Sequence, residues 1–219
     1  MRKLPDFSAV IFDMDGLVLD TEKTYRIAWQ GATCELGYDL SDDFFLSLAG
    51  LQYQDVENLI IESCGDGFSV ENFRTVSSKH WHDYVCAHGI DIKDGFFDIV
   101  RYLERSQIGF CLATNSLKKN AEECLRLAKI QDVFAFIVTR DQVEHGKPAP
   151  DVFLLAAELL ASPIAECLVI EDSATGISAA DAAGAIPVFI PESNRVTIDI
   201  NCYQFNNLAQ FADELIQSA

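Results

Sequence analysis

Two aspartates two residues apart directly follow the first apolar run of the chain. Residues 9–12 read Ala-Val-Ile-Phe, Asp13 follows them, and Asp15 precedes Gly16 in a predicted turn. Carboxylates this close repel each other, so a cation between them is favoured. A hard divalent ion such as Mg²⁺ binds carboxylate oxygens and leaves one carboxylate able to attack a phosphorus atom. Because the D-x-D-G pattern also occurs in calcium loops and ordinary turns, it identifies a site only together with other motifs.

A second apolar run also ends in polar residues. Residues 109–113 lead into Thr114 and Asn115, and a helix is predicted to begin near Leu117. A hydroxyl group and free backbone N–H groups at the start of a helix can bind an anion. The alternative interpretation is a simple N-cap, in which the hydroxyl only stabilises the helix.

The segment from Gly146 to Asp151 carries a lysine on a loop that proline makes rigid. Lys147 lies between Gly146 and Pro148, and Pro150 can begin the next helix. A lysine held in this way places a positive charge beside carboxylates or a phosphoryl group. The alternative is a solvated surface lysine, which is the usual location of this residue type.

A second acidic pair follows the apolar run 167–170. Glu171 and Asp172 precede a predicted helix that runs to about Ala183 and stops at Gly184. Two acidic pairs at the ends of two strands are able to face one metal ion.

Short apolar runs are predicted to form buried strands: 9–12, 109–113, 134–138, 167–170 and 186–190. They are continuously apolar, which is typical of strands covered on both faces. Helical patterns separate the later runs, and alternating strands and helices predict an α/β fold with a doubly wound parallel sheet. Ligands of such sheets bind beyond the carboxyl ends of the strands, where the polar motifs lie.

The segment from residue 20 to residue 89 contains no convincing strand and is predicted to form several amphipathic helices. Ser41 is followed by two aspartates and Ser69 by Val-Glu-Asn, and both serines are predicted N-caps. The predicted helix stops are glycines: Gly37, Gly50, Gly65 and Gly89. We therefore expect a smaller helical domain inserted after the first strand.

The overall charge disfavours several classes of partner. The 219 residues carry a formal net charge of −18 at pH 7, which repels nucleic-acid phosphates and anionic lipid surfaces. The first apolar run is short and ends in aspartates, unlike a signal peptide. No stretch approaches the roughly 20 apolar residues of a membrane span. We therefore expect a cytoplasmic protein that binds neither nucleic acid nor membranes.

Together, the four polar motifs resemble those of the haloacid dehalogenase (HAD) superfamily. The residues that carry the resemblance are Asp13-x-Asp15, Thr114, Lys147 and Glu171-Asp172. The stretches DMDGLVLDTE, GKPAPDVF and VIEDSATGISAADAAG are similar to the subgroup of β-phosphoglucomutase and small sugar-phosphate phosphatases. The resemblance covers nearly the whole chain. It implies a Rossmann-like HAD catalytic core, residues 1–19 and 90–219, with an inserted, smaller α-helical cap domain at 20–89.

The resemblance also implies a phosphatase mechanism that runs through an aspartyl-phosphate. Asp13 is then the nucleophile, and Asp15 protonates the leaving alcohol and afterwards activates water. Thr114 and the backbone N–H of Asn115 hold the transferring phosphoryl oxygens, while Lys147 offsets negative charge on Asp13 and on the phosphoryl group.

The implied cofactor is Mg²⁺, and most of its ligands come from the acidic pairs. They are the carboxylates of Asp13 and Asp172 and the backbone carbonyl of Asp15, with Glu171 acting through water. Glu22 is expected to contact the substrate, or it is only a favourable charge in the first turn of a cap helix. The expected substrate is a small phosphate ester, foremost a sugar phosphate, and the expected protein is a monomer.

Other functions are compatible with parts of the pattern. A β-phosphoglucomutase-like phosphomutase shares the core, but its cap histidine, arginine and lysine align here with Tyr25, Tyr53 and His80, and these mismatches favour hydrolysis. Dehalogenases and phosphonatases of the superfamily lack an acid at the position of Asp15, so both are disfavoured. A signalling receiver also gathers aspartates, threonine and lysine at strand ends. The helical insertion and the acid at Asp15 argue against it.

Overall fold

A computed structural model describes residues 4–48, 51, 53–191 and 198–217 of the chain. The chain divides into two compact units. Asp20–Ile90 forms the smaller unit, and Met1–Leu19 together with Asp91–Ala219 forms the larger. The four polar motifs lie in the larger unit. Within the described residues, no helix is both long enough and apolar enough to cross a membrane.

The smaller unit is built from helices: α1 Thr21–Glu35, α2 Asp42–Ser47, α3 Tyr53–Cys64 and α4 Val70–His88. Ser41 and Ser69 are N-caps as predicted, since each hydroxyl oxygen accepts a hydrogen bond from a backbone N–H three residues later. Gly89 follows α4 with φ of 77°, a conformation that favours glycine. Gly50, another predicted helix stop, lies outside the described residues.

Apolar side chains from these helices form the core of the smaller unit. Ala32, Phe45 and Phe73 are buried there. A buried carboxylate also joins α3 to α4, because Glu57 accepts hydrogen bonds from Nε and Nη2 of Arg74, both at 2.7 Å. This bidentate pairing lowers the pKa of Glu57 and keeps the buried carboxylate ionised.

The larger unit contains a sheet with strands β1 Ala9–Phe12, β2 Gly109–Ala113, β3 Ile137–Val138, β4 Cys167–Glu171, β5 Ile186–Phe189 and β6 Tyr203–Gln204. Across the described residues the strand order is β3-β2-β1-β4-β5-β6, and every neighbouring pair is parallel. The order reverses between β1 and β4, and open parallel sheets bind ligands at such a switch point.

The register of the central strands places the polar motifs side by side. Phe12 of β1 lies opposite Leu112 of β2 and Ile170 of β4. Asp13 therefore comes level with Glu171 at the carboxyl edge of the sheet.

Helices cover both faces of this sheet: α5 Phe96–Arg105, α6 Lys118–Leu127, α7 Asp151–Leu159, α8 Ala174–Ala183 and α9 Leu208–Gln217. Successive strand residues point to opposite faces. Ile11 and Val169 pack with residues of α7 and α8. The ring of Phe12 instead contacts the ring of Phe96 in α5, with 5.7 Å between the centroids. The predicted doubly wound parallel sheet is confirmed.

Two strands differ from the predicted pattern. β3 comprises only Ile137–Val138, whereas the apolar run predicted a strand over 134–138. Phe134 instead places its ring beside those of Phe12 and Phe96, so its apolar character reflects core packing and not a strand ladder. β6 has no apolar run and pairs with β5 over two residues, so only its position beside that strand defines it.

Candidate active site

Asp13 and Asp15 lie on the turn that follows β1. The N–H of Asp13 donates to the carbonyl of Ile170 at 3.0 Å, which continues the pairing of β1 with β4. Gly16 has φ of 82°, and its N–H donates to the carbonyl of Leu19 at 2.9 Å. This tight turn holds Asp15 half-buried at the sheet edge, while Asp13 is only 7% exposed.

The ammonium group of Lys147 is surrounded by acceptors. Nζ donates to Asp13 Oδ1, to Glu171 Oε1 at 2.6 Å and to the carbonyl of Ala113 at 3.0 Å. An ammonium group has three N–H donors, so all of them are used. Only 4% of the side chain is exposed, and a buried charge is tolerated only when it is paired and hydrogen-bonded. The structure thus brings together three of the predicted site residues.

Glu171 is held from two further sides. Its Oε2 accepts hydrogen bonds from Ser173 Oγ at 2.9 Å and from Ser173 N–H at 3.2 Å. The carboxylate also fills the space beside Gly176 in the first turn of α8, where a Cβ atom would lie 1.8 Å from Glu171 Cδ. Both oxygens of Glu171 are therefore engaged, one by Lys147 and one by Ser173.

A hydroxyl group after β2 contacts the second aspartate. Ser116 Oγ donates to Asp15 Oδ2 at 2.8 Å, and Ser116 N–H donates to Thr114 Oγ1 at 3.0 Å. Thr114 Oγ1 itself lies 3.5 Å from Asp15 Oδ2. Thr114 is buried, and its N–H donates to the carbonyl of Val138 at 2.9 Å, which anchors this segment to β3. The structure therefore places Thr114 beside Asp15, as expected for residues that share one site.

The side chain of Asn115 is directed at the loop that carries the lysine. Oδ1 accepts from the N–H of Lys147 at 2.8 Å, and Nδ2 donates to the carbonyl of Lys147 at 3.1 Å. The sequence suggested a role for the backbone N–H of Asn115, and the side-chain contact was not expected.

The carboxylates of this site outnumber its one buried ammonium group, and this affects their pKa values. Burial raises the pKa of Asp13 to about 8, Lys147 opposes this, and the neighbouring carboxylates of Glu171 and Asp15 add to it. Burial lowers the pKa of Lys147, but the adjacent carboxylates outweigh it and hold that pKa above its ordinary value. Lys147 thus stays protonated, and its single positive charge does not balance the carboxylates around it.

Asp13, Glu171 and Asp172 can each supply an oxygen to one ion, since these ligand atoms lie within 4.8 Å of one another. Carboxylate oxygens suit hard divalent cations such as Mg²⁺. Burial is the main cause of the raised pKa of Asp13, and the nearby carboxylates of Glu171 and Asp15 raise it further, so a bound cation would favour the ionised form of Asp13. The donor set therefore fits a divalent metal ion.

The remaining residues of interest lie in the smaller unit. Glu22 is in the first turn of α1, and its predicted substrate contact stays a prediction. The ring of Tyr25 stacks on those of Trp29 and Trp81, with centroid distances of 5.9 and 5.8 Å. Tyr53 donates to Glu57 at 3.3 Å, and His80 Nε2 lies 2.8 Å from Glu35 Oε2.

Several residues with clear roles in the geometry were not among the predicted site residues: Ala113, Ser116, Ser173 and Gly176. Ser173 is an ordinary N-cap in sequence and does cap α8, accepting from Gly176 N–H at 3.0 Å, but it also holds Glu171. Its position directly after the acidic pair was the only signal. Ser116 carried a similar signal, since it follows Thr114 at the predicted start of a helix.

Comparison with known proteins places the chain in a family. The profile of the haloacid dehalogenase-like hydrolases matches residues 10–190. A phosphorylated carbohydrates phosphatase of Thermotoga maritima is 31% identical over 179 residues, which cover 80% of this chain and 81% of the relative. A β-phosphoglucomutase of Bacillus subtilis is also 31% identical, over 186 residues that cover 82% of this chain and 81% of the relative.

A solved structure shows the same fold. The HAD family hydrolase of Deinococcus radiodurans, crystallised with phosphate and sodium, superposes with a TM-score of 0.80 over 97% of this chain and 96% of its own, at 22% identity. The resemblance predicted from the four motifs is thereby confirmed for both family and fold, and with it the prediction of a hydrolase. The chain therefore belongs to the haloacid dehalogenase-like hydrolase family.

Proposed function

We propose that this protein is a Mg²⁺-dependent phosphatase that removes phosphate from a small phosphorylated metabolite, foremost a sugar phosphate. The observation that carries the proposal is the contrast between two aspartates on one turn. Asp13 is buried against Lys147, whereas Asp15 is half-buried and is held by Ser116. A nucleophile requires a fixed position, and an acid–base residue requires access to the leaving group and to water.

The proposed reaction has two steps that share one covalent intermediate. Asp13 attacks the phosphorus atom, the bond to the leaving oxygen breaks, and Asp15 protonates that oxygen. Asp15 then accepts a proton from water as the water attacks the aspartyl-phosphate, and inorganic phosphate leaves with Asp13 regenerated. Lys147 fixes Asp13 Oδ1 and so orients the carboxylate, while Thr114 and the N–H of Asn115 are proposed to hold phosphoryl oxygens.

The proposed cofactor is Mg²⁺, held by the carboxylates of Asp13 and Asp172 and by the backbone carbonyl of Asp15. When bound, it neutralises carboxylate and phosphoryl charge. Glu171 is proposed to act through water, which is compatible with the engagement of both its oxygens by Lys147 and Ser173.

Mg²⁺ binding is expected to weaken as the pH falls below about 8, because Asp13 must lose its proton before its carboxylate can bind a metal ion. The raised pKa of Asp13 means that protons compete with Mg²⁺ near neutral pH, so affinity rises with pH and binding releases a proton. Titration calorimetry in buffers of different ionisation enthalpy, between about pH 6 and pH 9, measures both quantities.

Two variants control this measurement. Asp172→Asn is expected to weaken binding at every pH and to keep the pH dependence, because Asp13 still titrates. Asp13→Asn is expected to weaken binding and to remove most of the pH dependence. An affinity for Mg²⁺ that is constant over this range in the wild type would contradict the assignment of Asp13 as a ligand.

The substrate class is supported by the relative named as a phosphorylated carbohydrates phosphatase. The smaller unit is proposed to serve as a cap that selects the substrate and excludes water, with Glu22 contributing to binding. A cytoplasmic location and a monomeric state remain predictions from the sequence.

A phosphomutase is the second candidate, because the β-phosphoglucomutase relative is as similar to this chain as the phosphatase relative. The residues at the aligned mutase positions favour hydrolysis. Tyr25 and Tyr53 replace the basic side chains of the mutase at two of them, and His80 is paired with Glu35. Membership of a hydrolase family leaves no support for a signalling receiver.

The experiment that tests the proposal measures phosphate release from sugar phosphates, phosphoglycolate and nucleoside monophosphates, with Mg²⁺ or with EDTA. We expect Mg²⁺-dependent release, greatest with a sugar phosphate. Transfer of phosphate between two positions of one sugar, without net release, would favour the mutase. Absence of both reactions would reject the proposed function.

A further inference from the structure

We propose that Asn115 is a positioning residue for Lys147 and acts through its side-chain amide. This role depends on the proposed function, because it lies within the same site. The amide pairs with both the N–H and the carbonyl of Lys147, at 2.8 and 3.1 Å. An amide group that donates to and accepts from the backbone of one residue fixes the position and the direction of that backbone.

The segment from Ala113 to Asn115 therefore contacts Lys147 both at its backbone and at the end of its side chain. The carbonyl of Ala113, the last residue of β2, accepts from Nζ, and Asn115, two residues later, holds the backbone. A fixed backbone limits where the end of the side chain can reach, so this contact also determines how Nζ meets Asp13 Oδ1. Because β2 pairs directly with β1, the segment that holds the lysine is in register with the strand that precedes Asp13.

Two side chains hold residues 143–145, which directly precede the loop that carries Lys147. Arg140 donates to the carbonyls of Val143 and Glu144 at 3.0 and 3.2 Å, and Asp151 accepts from the N–H of His145 at 3.1 Å. These contacts hold the segment before the loop, whereas the amide of Asn115 holds Lys147 itself. A Cβ atom at position 146 would lie 2.6 Å from Asn115 Oδ1, so Gly146 permits this approach.

The variant Asn115→Ala removes the amide but keeps the backbone N–H that is proposed to bind phosphoryl oxygens. We expect kcat to fall about 10- to 100-fold, the range produced by misplacing a catalytic group by up to about an ångström. KM is expected to change less than about threefold, since substrate binding is not removed. The Lys147 amide proton is expected to exchange faster with solvent in NMR spectra. Asn120→Ala, at an exposed position of α6, is the matched control and should change none of these quantities.

A double-mutant cycle with Lys147→Met separates positioning from direct contact. If Asn115 acts through Lys147, Asn115→Ala has no further effect on the residual kcat of Lys147→Met. An equal fold loss in both backgrounds, or unchanged exchange of the Lys147 amide proton, would overturn the proposal. Gly146→Ala is a less selective second variant, because its Cβ would lie 2.5 Å from Arg140 Cδ as well as 2.6 Å from Asn115 Oδ1, and it is also expected to raise that exchange. Lack of turnover by the wild type would reject the proposed function, and amide exchange would still decide whether Asn115 holds Lys147.

Discussion

Replacing Asp13 by asparagine is expected to lower phosphate release by about a thousandfold or more, as loss of a covalent nucleophile does in other enzymes. The amide cannot form the proposed aspartyl-phosphate. The fold should survive, because burial beside Glu171 and Asp15 already disfavours the charged form of Asp13, as its raised pKa shows. A neutral group of the same shape is therefore accommodated. Steady-state phosphate release with saturating Mg²⁺ measures the loss, and near-UV circular dichroism checks the fold.

The matched control is Asp6→Asn, which removes a carboxylate from an exposed position on the segment before β1. Its kcat and KM should equal those of the wild type. Retention of more than about a tenth of wild-type kcat by a folded Asp13→Asn protein would rule out Asp13 as the nucleophile. A second experiment stops the reaction with acid and measures the phosphate bound covalently to the protein. This readout is independent of turnover, because only protein with Asp13 should retain covalent phosphate.

Replacing Gly176 by alanine is expected to reduce both stability and turnover. The new Cβ would lie 1.8 Å from Cδ and Oε1 of Glu171, well inside van der Waals contact. Glu171 cannot simply retreat, because Lys147 and Ser173 hold its two oxygens. Overpacking of this kind costs roughly 1–3 kcal/mol of unfolding free energy. Movement of Glu171 also shifts Lys147, so kcat is expected to fall about 100-fold.

Gly184→Ala is the matched control, because it makes the same chemical change at the other end of α8. Gly184 has φ of 76° and no neighbouring atom within 4 Å of an added Cβ, so alanine there strains the backbone by about 1 kcal/mol and leaves the site unchanged. Thermal unfolding and kcat of both variants, measured together, separate the two effects. We expect Gly184→Ala to lower Tm and leave kcat unchanged, and Gly176→Ala to lower both Tm and kcat.

A second-site change tests the cause of the Gly176→Ala defect. Glu171→Asp shortens the carboxylate that meets the new methyl group, so the double variant is expected to be more stable than Gly176→Ala. The single variant Glu171→Asp is expected to lose stability, because its shorter side chain no longer reaches all of its partners. If Glu171→Asp lowers the free energy of unfolding by the same amount in the wild type and in Gly176→Ala, then Gly176 and Glu171 do not interact as the geometry indicates.

Much of the fold and of the candidate site was predictable from local sequence patterns. The runs at residues 9–12 and 109–113 became strands with the predicted bounds, because continuous apolar residues indicate burial on both faces. Since parallel strands end at one edge of a sheet, the polar residues that follow them were predicted to meet. Asp13 and Glu171 do so, and Asp15 lies beside Thr114.

The sequence by itself therefore determined the class of fold, the edge of the sheet that carries the polar motifs, and the residue types available there. Tertiary structure decided which atoms meet: Lys147 lies 134 positions from Asp13, Ser116 lies 101 from Asp15, and Asn115 lies 32 from Lys147. Local patterns record only the burial and conformation of neighbouring residues. Contacts across such separations depend on the register of the strands and on the packing of the loops that follow them, which is why the roles of Ser116, Gly176 and the Asn115 side chain emerged only from the folded chain.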